Sequence, residues 1–233
     1  MGIKINDSLK YHAQIDFLES KLSRLCGLSY RLRGYFNKKT AKTYYYSLVY
    51  STLIYCICVW GGILQCTQRG HRLVRMQEKI INNLFGKYVT DDACIFKEFR
   101  LLKLRDIHRF YMGIYMFKVI NLDMCPTLQN DLNLCYPVPT YNTRNFNDIQ
   151  IPFPRVDASK INFKYQISKI WNEIPRRLRE LSSLHSFKRE FNLYLLEQYW
   201  KLYFWETVWV YIHICPKAAE VAIMGLSFAM HCL

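Results

Sequence analysis

The residues best suited to chemistry in this sequence are basic side chains clustered within residues 31–42. The cluster consists of Arg31, Arg33, Lys38, Lys39 and Lys42. Guanidinium and ammonium groups bind phosphate oxygens by charge-assisted hydrogen bonds and do so without regard to base sequence. The surrounding segment 20–77 holds ten basic residues and no acidic one. This pattern favours phosphate contact over a merely solvated basic helix face.

The net charge of the whole chain points to the same kind of partner. The 233 residues include 32 Lys and Arg against 18 Asp and Glu, which gives a formal charge of +14. Because 51% of the residues are hydrophobic, a disordered polybasic tail is excluded and a packed core is expected. Residues 201–233 sum to zero charge, so the whole excess lies before them. A polyanion, either nucleic acid or an acidic membrane surface, is the expected partner.

Two further groups of residues have both a functional and a structural interpretation. Arg144 stands between Asn142 and Asn145. It could bind a phosphate or anchor its loop, or it could pair with a carboxylate while the asparagines form turn hydrogen bonds. Residues 44–46 are consecutive tyrosines that could stack on bases. Consecutive side chains point around a helix, so core packing with hydroxyls near the surface is favoured for them.

The sequence offers no free-standing catalytic or metal site. It contains nine cysteines without a CxxC pair, and its six histidines form no nucleophile or metal-ligand pattern. We therefore expect no metal, no cofactor and no disulfide framework in this chain. The first ten residues lack the apolar core of a signal peptide, which favours a reducing, intracellular location, nuclear or cytoplasmic.

The spacing of apolar residues predicts helices over most of residues 9–121. A first helix carries an apolar stripe completed by Ser29, and Gly34 ends it in the left-handed conformation that glycine tolerates. Asn37 is the predicted N-cap of a second helix, which continues to Trp60. Three more helices are predicted from about His71 to Gly86, from Asp91 or Asp92 through Phe99, and over about 105–121.

The second part of the chain is predicted to be less regular. Four prolines lie within residues 137–154, which favours a connecting loop with short extended pieces at 149–153 and 161–165. A helix is predicted over about 166–171, and a last one begins after Ser183 or Ser186 and passes Tyr199.

These elements define a mostly α fold, a helical bundle followed by a small α module, with a Pro-rich loop and little or no β structure. We divide the chain into a helical domain (1–125), the Pro-rich connecting loop (126–165), a C-terminal helical module (166–200) and an apolar tail (201–233).

The uncharged run 43–68 admits an alternative interpretation as a membrane span. Its 26 residues are long enough to cross a bilayer. Tyrosines throughout the run and a Gly pair at 61–62 argue against this interpretation, and basic residues flank both ends, so no orientation is set. A helix covered by its neighbours accounts for the same composition and is favoured.

An ordered set of short motifs resembles the region after the polymerase palm in reverse transcriptases of non-LTR retrotransposons, of the jockey-like LINE type. The matching segments are GIKINDSL (2–9), SYRLR (29–33), KKT (38–40), YYYSLVY (44–50), VWG (59–61), MQEK (76–79), FKE (96–98), YNTRN (141–145), KIWNEIP (169–175) and SFK (186–188). They cover about residues 1–200 in the family's order, and YNTRN is the sharpest of them. Residues 201–233 resemble nothing in the family's pattern.

The resemblance implies a thumb-like helical unit that packs beside an RNA or DNA template–primer. In complete enzymes of the family, palm aspartates hold divalent metal ions such as Mg²⁺, and the expected Tyr-x-Asp-Asp box lies upstream of this sequence. The missing palm and fingers are thus the implied protein partners. The segment YVTDD at 88–92 has one residue too many for that box and is predicted to form a turn and a helix cap.

The leading hypothesis is a C-terminal fragment of an RNA-directed DNA polymerase that binds nucleic acid and is not expected to polymerise alone. The alternatives are a membrane-associated protein with a span at about 43–68 and a decayed mobile element without a present function.

Overall fold

The computed structural model describes residues 2–4, 11–88, 92–121, 149, 151–152 and 160–214. These residues are mostly helical and include no strand, which confirms the predicted mostly α fold. Arg144, the YNTRN segment and the end of the tail lie outside the described residues.

The helices follow one another with short connections. In chain order they are α1 (His12–Leu32), α2 (Lys38–Tyr44), a π-helix (Tyr45–Tyr50), α3 (Ser51–Ile54), α4 (Ile57–Trp60), α5 (Ile63–Cys66), α6 (Gln68–Phe85), a 3₁₀ turn (Gly86–Tyr88), α7 (Asp92–Glu98), α8 (Leu104–Asn121), α9 (Phe163–Glu173), α10 (Arg176–Arg179) and α11 (Leu184–Ile214).

Helices α1 and α6 pack along each other in the same direction. Near their starts, Arg69 donates to both carboxylate oxygens of Asp16, at 2.7 and 3.0 Å. Towards their ends, Asn83 donates to the Ser29 hydroxyl at 3.1 Å. Ser29 is fully buried, as the predicted apolar stripe requires, and its own hydroxyl donates to the Cys26 carbonyl oxygen. Two parallel helices must be joined by a return path, and residues 33–67 supply it.

That return path is not the single helix predicted over residues 38–60. It is helical to Ile54 and then breaks at Cys56, which adopts the left-handed conformation with φ of 52°. The Trp60 indole nitrogen donates to the Tyr55 carbonyl oxygen at 2.8 Å, so the break provides an acceptor for the buried indole. Among the described helices, none combines the length and the apolar character that a bilayer crossing requires.

Helices α9 and α11 both pack against α8, and aromatic side chains form the contact between α8 and α11. The ring of Phe117 on α8 stacks on Phe187 at 4.5 Å between centroids, and Phe187 contacts Phe191 at 5.4 Å. Trp171 is buried, and its ring lies 6.2 Å from that of Phe187 between centroids. A Cβ atom at Gly113 would lie 2.6 Å from the Phe191 ring, so α8 and α11 approach closely because position 113 has no side chain.

Several predicted details hold and others are wrong. Asn37 caps the second helix, and the last helix begins at Leu184, as predicted. Gly34 follows the end of α1, but no described glycine has positive φ, so the left-handed helix end was a wrong prediction. The extended piece at 161–165 is also wrong, because α9 begins at Phe163 after Asn162 caps it.

Candidate nucleic-acid interface

The predicted basic cluster lies at the corner where α1 turns into α2. The turn is held by a hydrogen bond from the Tyr35 amide to the Leu32 carbonyl oxygen, at 3.0 Å. Asn37 then accepts a hydrogen bond from the Thr40 amide at 2.8 Å. The Tyr44 hydroxyl donates to the Leu25 carbonyl oxygen at 3.1 Å, which fixes α2 against the last turns of α1. The corner is therefore held by local hydrogen bonds in the turn and by the hydrogen bond from Tyr44 on α2 to Leu25 on α1.

All five predicted phosphate-binding residues of this corner are exposed. They are Arg31 and Arg33 at the end of α1, and Lys38, Lys39 and Lys42 at the start of α2. No carboxylate other than that of Glu98 forms an ion pair with them in the described part of the chain. Because Asn37 occupies the Thr40 amide, the corner's capacity to bind an anion rests mainly on these side chains.

Lys38 and Lys42 are turned toward aromatic rings, Tyr88 and Phe99 for Lys38 and Phe99 for Lys42. The Lys38 ammonium lies 3.6 Å from a Glu98 oxygen and 5.3 Å from the Tyr88 ring centroid. Lys38 and Lys42 also lie 5.7 and 5.9 Å from the ring centroid of Phe99. Both side chains of the Lys38–Glu98 pair are about half exposed, 58% for Lys38 and 45% for Glu98. Such pairs contribute little, so a phosphate can compete with Glu98.

Aromatic rings at the corner are functional candidates that the sequence reasoning did not select. Tyr35 is 86% exposed in the turn, and Tyr30 is 55% exposed in the last turns of α1. The Arg33 guanidinium lies over the Tyr30 ring at 4.3 Å from its centroid. The available signal was the alternation of aromatic and basic residues over 30–38, which is typical of nucleic-acid binding.

The three consecutive tyrosines at 44–46 are mostly unsuited to base stacking. Tyr44 and Tyr45 are buried, and burial raises the pKa of the Tyr45 hydroxyl well above its ordinary range. Tyr45 accepts a hydrogen bond from Gln77 at 2.8 Å. Tyr46 is partly exposed but packs edge-on against Tyr45 and Tyr50. Core packing, the favoured prediction, is confirmed for Tyr44 and Tyr45.

Of the ten basic residues of segment 20–77, Arg69 is held in an ion pair far from the corner. Arg69 pairs with Asp16 near the start of α1, and residues 16 and 31 are separated by about 22 Å along that helix. The exposed Arg72 and Arg75 follow Arg69 on α6. Arg69, at the far end of this charge run, is therefore engaged in an ion pair and does not belong to the corner.

The histidine, cysteine and acidic side chains of the described residues do not form a reactive or metal-binding site. No group of three or more His, Cys, Asp or Glu side chains there could hold a metal ion. Burial, with a smaller contribution from nearby Cys56, raises the pKa of the Cys58 thiol to about 11, which disfavours a thiolate. Tyr88 of the YVTDD segment lies in a 3₁₀ turn and donates to the Phe36 carbonyl oxygen, and α7 begins at Asp92.

Other basic positions are not part of this corner. Arg176 and Arg177 are exposed and Arg179 is half-buried on the short helix α10. Arg144 lies outside the described residues, so both of its interpretations remain predictions.

Comparison with protein-family models gave no match, and comparisons with curated proteins and with solved structures gave no significant match. The geometry of the corner and the resemblance of the motifs are therefore the basis for a functional proposal.

Proposed function

We propose that this chain is the thumb-like, post-palm part of a non-LTR retrotransposon reverse transcriptase and that it holds the template–primer through phosphate contacts. The observation that carries the proposal is the exposed corner at the α1–α2 turn, with five cations within twelve residues. Charge of this density attracts the phosphate backbone of RNA or DNA, and it does so regardless of sequence.

The partner that would complete the enzyme is the palm with its fingers. We place this partner at a cleft beside the exposed Phe17 of α1. Phe17 and Tyr55 are 40% and 42% exposed and line a cleft of about 270 Å³ together with Gly2, Lys4 and Leu18. Polymerisation itself is not proposed for this chain, because the resemblance assigns the metal-binding carboxylates to the palm.

The phosphate contacts are tested by the salt dependence of binding. We expect the chain to bind RNA and DNA with an affinity that falls steeply from about 50 to about 300 mM salt, because each contact releases counterions. Fluorescence anisotropy of labelled oligonucleotides measures this dependence. A flat response, or no binding, contradicts the proposal.

A lysine-to-glutamine series locates the contacts. The triple variant Lys38→Gln, Lys39→Gln, Lys42→Gln is expected to lower the log–log salt slope by about two to three, at about 0.7 to 0.9 per lost contact. Its affinity should fall for all sequences alike.

The matched control removes the same charge from exposed positions on other helices. It consists of Lys164→Gln, Arg177→Gln and Lys188→Gln. Equal losses in the two triple variants would show an effect of net charge and contradict the proposed site.

A further inference from the structure

We propose that the α1–α2 turn binds unpaired nucleotides, with Tyr35 stacking on a base while the flanking cations hold its phosphates. This inference rests on the proposed phosphate-binding function and names the form of nucleic acid that the corner prefers. It concerns a side chain that the phosphate contacts themselves do not use.

The exposure of Tyr35 is the first observation. The ring is 86% accessible, the highest value among the exposed large hydrophobic side chains of the described residues. Its backbone is nevertheless fixed, because its amide donates to the Leu32 carbonyl oxygen within the turn. A ring on a fixed turn with its faces open to solvent contributes little to the core and is well placed to stack on a planar ligand.

The neighbouring pair of Tyr30 and Arg33 is the second observation. The guanidinium of Arg33 covers one side of the Tyr30 ring at 4.3 Å from its centroid, and both side chains are exposed. The corner thus presents planar groups on both sides of Gly34, namely Tyr30 and Arg33 before it and Tyr35 after it. Lys38 and Lys39 follow in the chain. Proteins that bind single strands combine cations for the backbone with aromatic rings for successive bases.

Unpaired nucleotides fit this arrangement better than a duplex does. In a duplex the faces of the bases are stacked on each other, so an exposed ring gains contact only where a base is unstacked. An acidic membrane surface is the other polyanion to consider. Insertion into it requires a continuous apolar face, whereas the apolar neighbour Phe36 is half-buried against Tyr44 and the other residues around Tyr35 are Gly34, Asn37 and the cations Arg33 and Lys38.

The test compares substitutions at Tyr35 in the full chain. The probes are a single-stranded RNA carrying 2-aminopurine, a duplex of the same sequence, and vesicles of phosphatidylcholine with phosphatidylserine. Tyr35→Leu keeps an apolar side chain but removes the ring, Tyr35→Phe keeps the ring, and Tyr46→Leu makes the same change outside the turn. Because Tyr35 is exposed, thermal unfolding of its two variants should match that of the wild type.

We expect Tyr35→Leu to weaken single-strand binding about 5- to 100-fold and to abolish quenching of 2-aminopurine. The salt slope and duplex affinity should be unchanged, since no charge is removed. Tyr35→Phe and Tyr46→Leu should bind like the wild type.

Four results would overturn the inference. Wild-type single-strand affinity in Tyr35→Leu, combined with the loss expected of the lysine variant, would exclude stacking and leave the phosphate contacts intact. Equal losses for single strand and duplex would exclude a preference for unpaired bases. A loss of vesicle binding alone would assign the ring to a membrane surface. If the wild type shows no salt-dependent binding at all, the proposed function itself fails and stacking fails with it.

Discussion

His108 on α8 is a titratable side chain that the fold keeps uncharged. It is 1% exposed, and neither ring nitrogen has a hydrogen-bond partner among the described residues. A Cβ atom at Gly61 would lie 2.3 Å from the imidazole, so the ring packs directly on the backbone of Gly61. Burial without a partner disfavours the imidazolium and lowers the pKa of His108 from 6.5 to about 4.

The sign of the pH dependence follows from this shift. Between pH 6.5 and about 4 the unfolded chain binds a proton that the folded chain does not. The free energy of unfolding is therefore expected to fall with decreasing pH in that window, by about 1 kcal/mol per pH unit from this group. Urea unfolding at several pH values measures the slope. In His108→Phe the slope should be smaller by this amount, and an unchanged slope would show that His108 does not contribute.

Gln77 shows how one buried polar residue can position several elements. Its amide nitrogen donates to the Tyr45 hydroxyl at 2.8 Å and to the Leu102 carbonyl oxygen at 3.0 Å. Its carbonyl oxygen accepts from the Leu104 amide at 2.7 Å. A buried polar group is costly unless it is paired, and Gln77 is paired at each of these atoms. The segment that leads into α8 is thereby fixed to α6 and to the π-helix.

At the scale of elements, the α1–α2 corner depends on the cap at Asn37. Asn37→Ala removes the acceptor of the Thr40 amide, so we expect a loss of about 1 kcal/mol in the free energy of unfolding. A urea titration should show a lower midpoint with an unchanged m-value. Asn37→Asp, which restores the acceptor, serves as the control. Equal stability of the Ala variant and the wild type would mean that water replaces the cap without cost.

Helix α11 is connected to α8 by polar contacts as well as by aromatic ones. The Tyr199 hydroxyl donates to Asp106 at 2.6 Å and accepts from the Lys103 amide at 2.9 Å. Arg109 lies between Asp106, Gln198 and Glu173 and so links α8 to both α9 and α11. These contacts give the last helix a defined register on α8, which apolar packing alone specifies less strictly.

At the scale of the whole molecule, the hydrophobic core continues from Ile15 on α1 to Leu195 on α11. The ring of Phe117 on α8 is buried and stacks on Phe187 of α11. The domain boundary after residue 125 remains a prediction. Because the hydrophobic core continues across that boundary, a fragment that ends there tests it.

A fragment of residues 1–125 provides that test. It would expose side chains of α8 that each stabilise the fold by about 1.5 to 3 kcal/mol when buried. We therefore expect the fragment to unfold without a cooperative transition in a thermal melt followed by circular dichroism. The full chain is the control. A cooperative transition in the fragment would instead support an independent helical domain.

Much of this architecture follows from local sequence patterns. The stripe on α1, the Asn37 cap, the helix at 104–121 and the helix after Ser183 could be predicted because they depend on residues close together in the chain. The break at Cys56 could not be predicted, since a non-glycine residue adopts positive φ there within a tertiary setting that includes the buried Trp60. The helix at 163–173 was predicted only in part, over about 166–171, because the cap at Asn162 was not recognised and residues 161–165 were assigned to an extended piece.

The sequence by itself determined the mostly α fold and the position of the basic cluster, because helix periodicity and a turn between two helices are short-range properties. Only the tertiary structure decided which side chains remain available to a ligand. It paired Arg69 with Asp16, buried Tyr44 and Tyr45, and left Tyr35 exposed. Burial and pairing depend on residues that are far apart in sequence, so identical residue types reach opposite environments within one short segment.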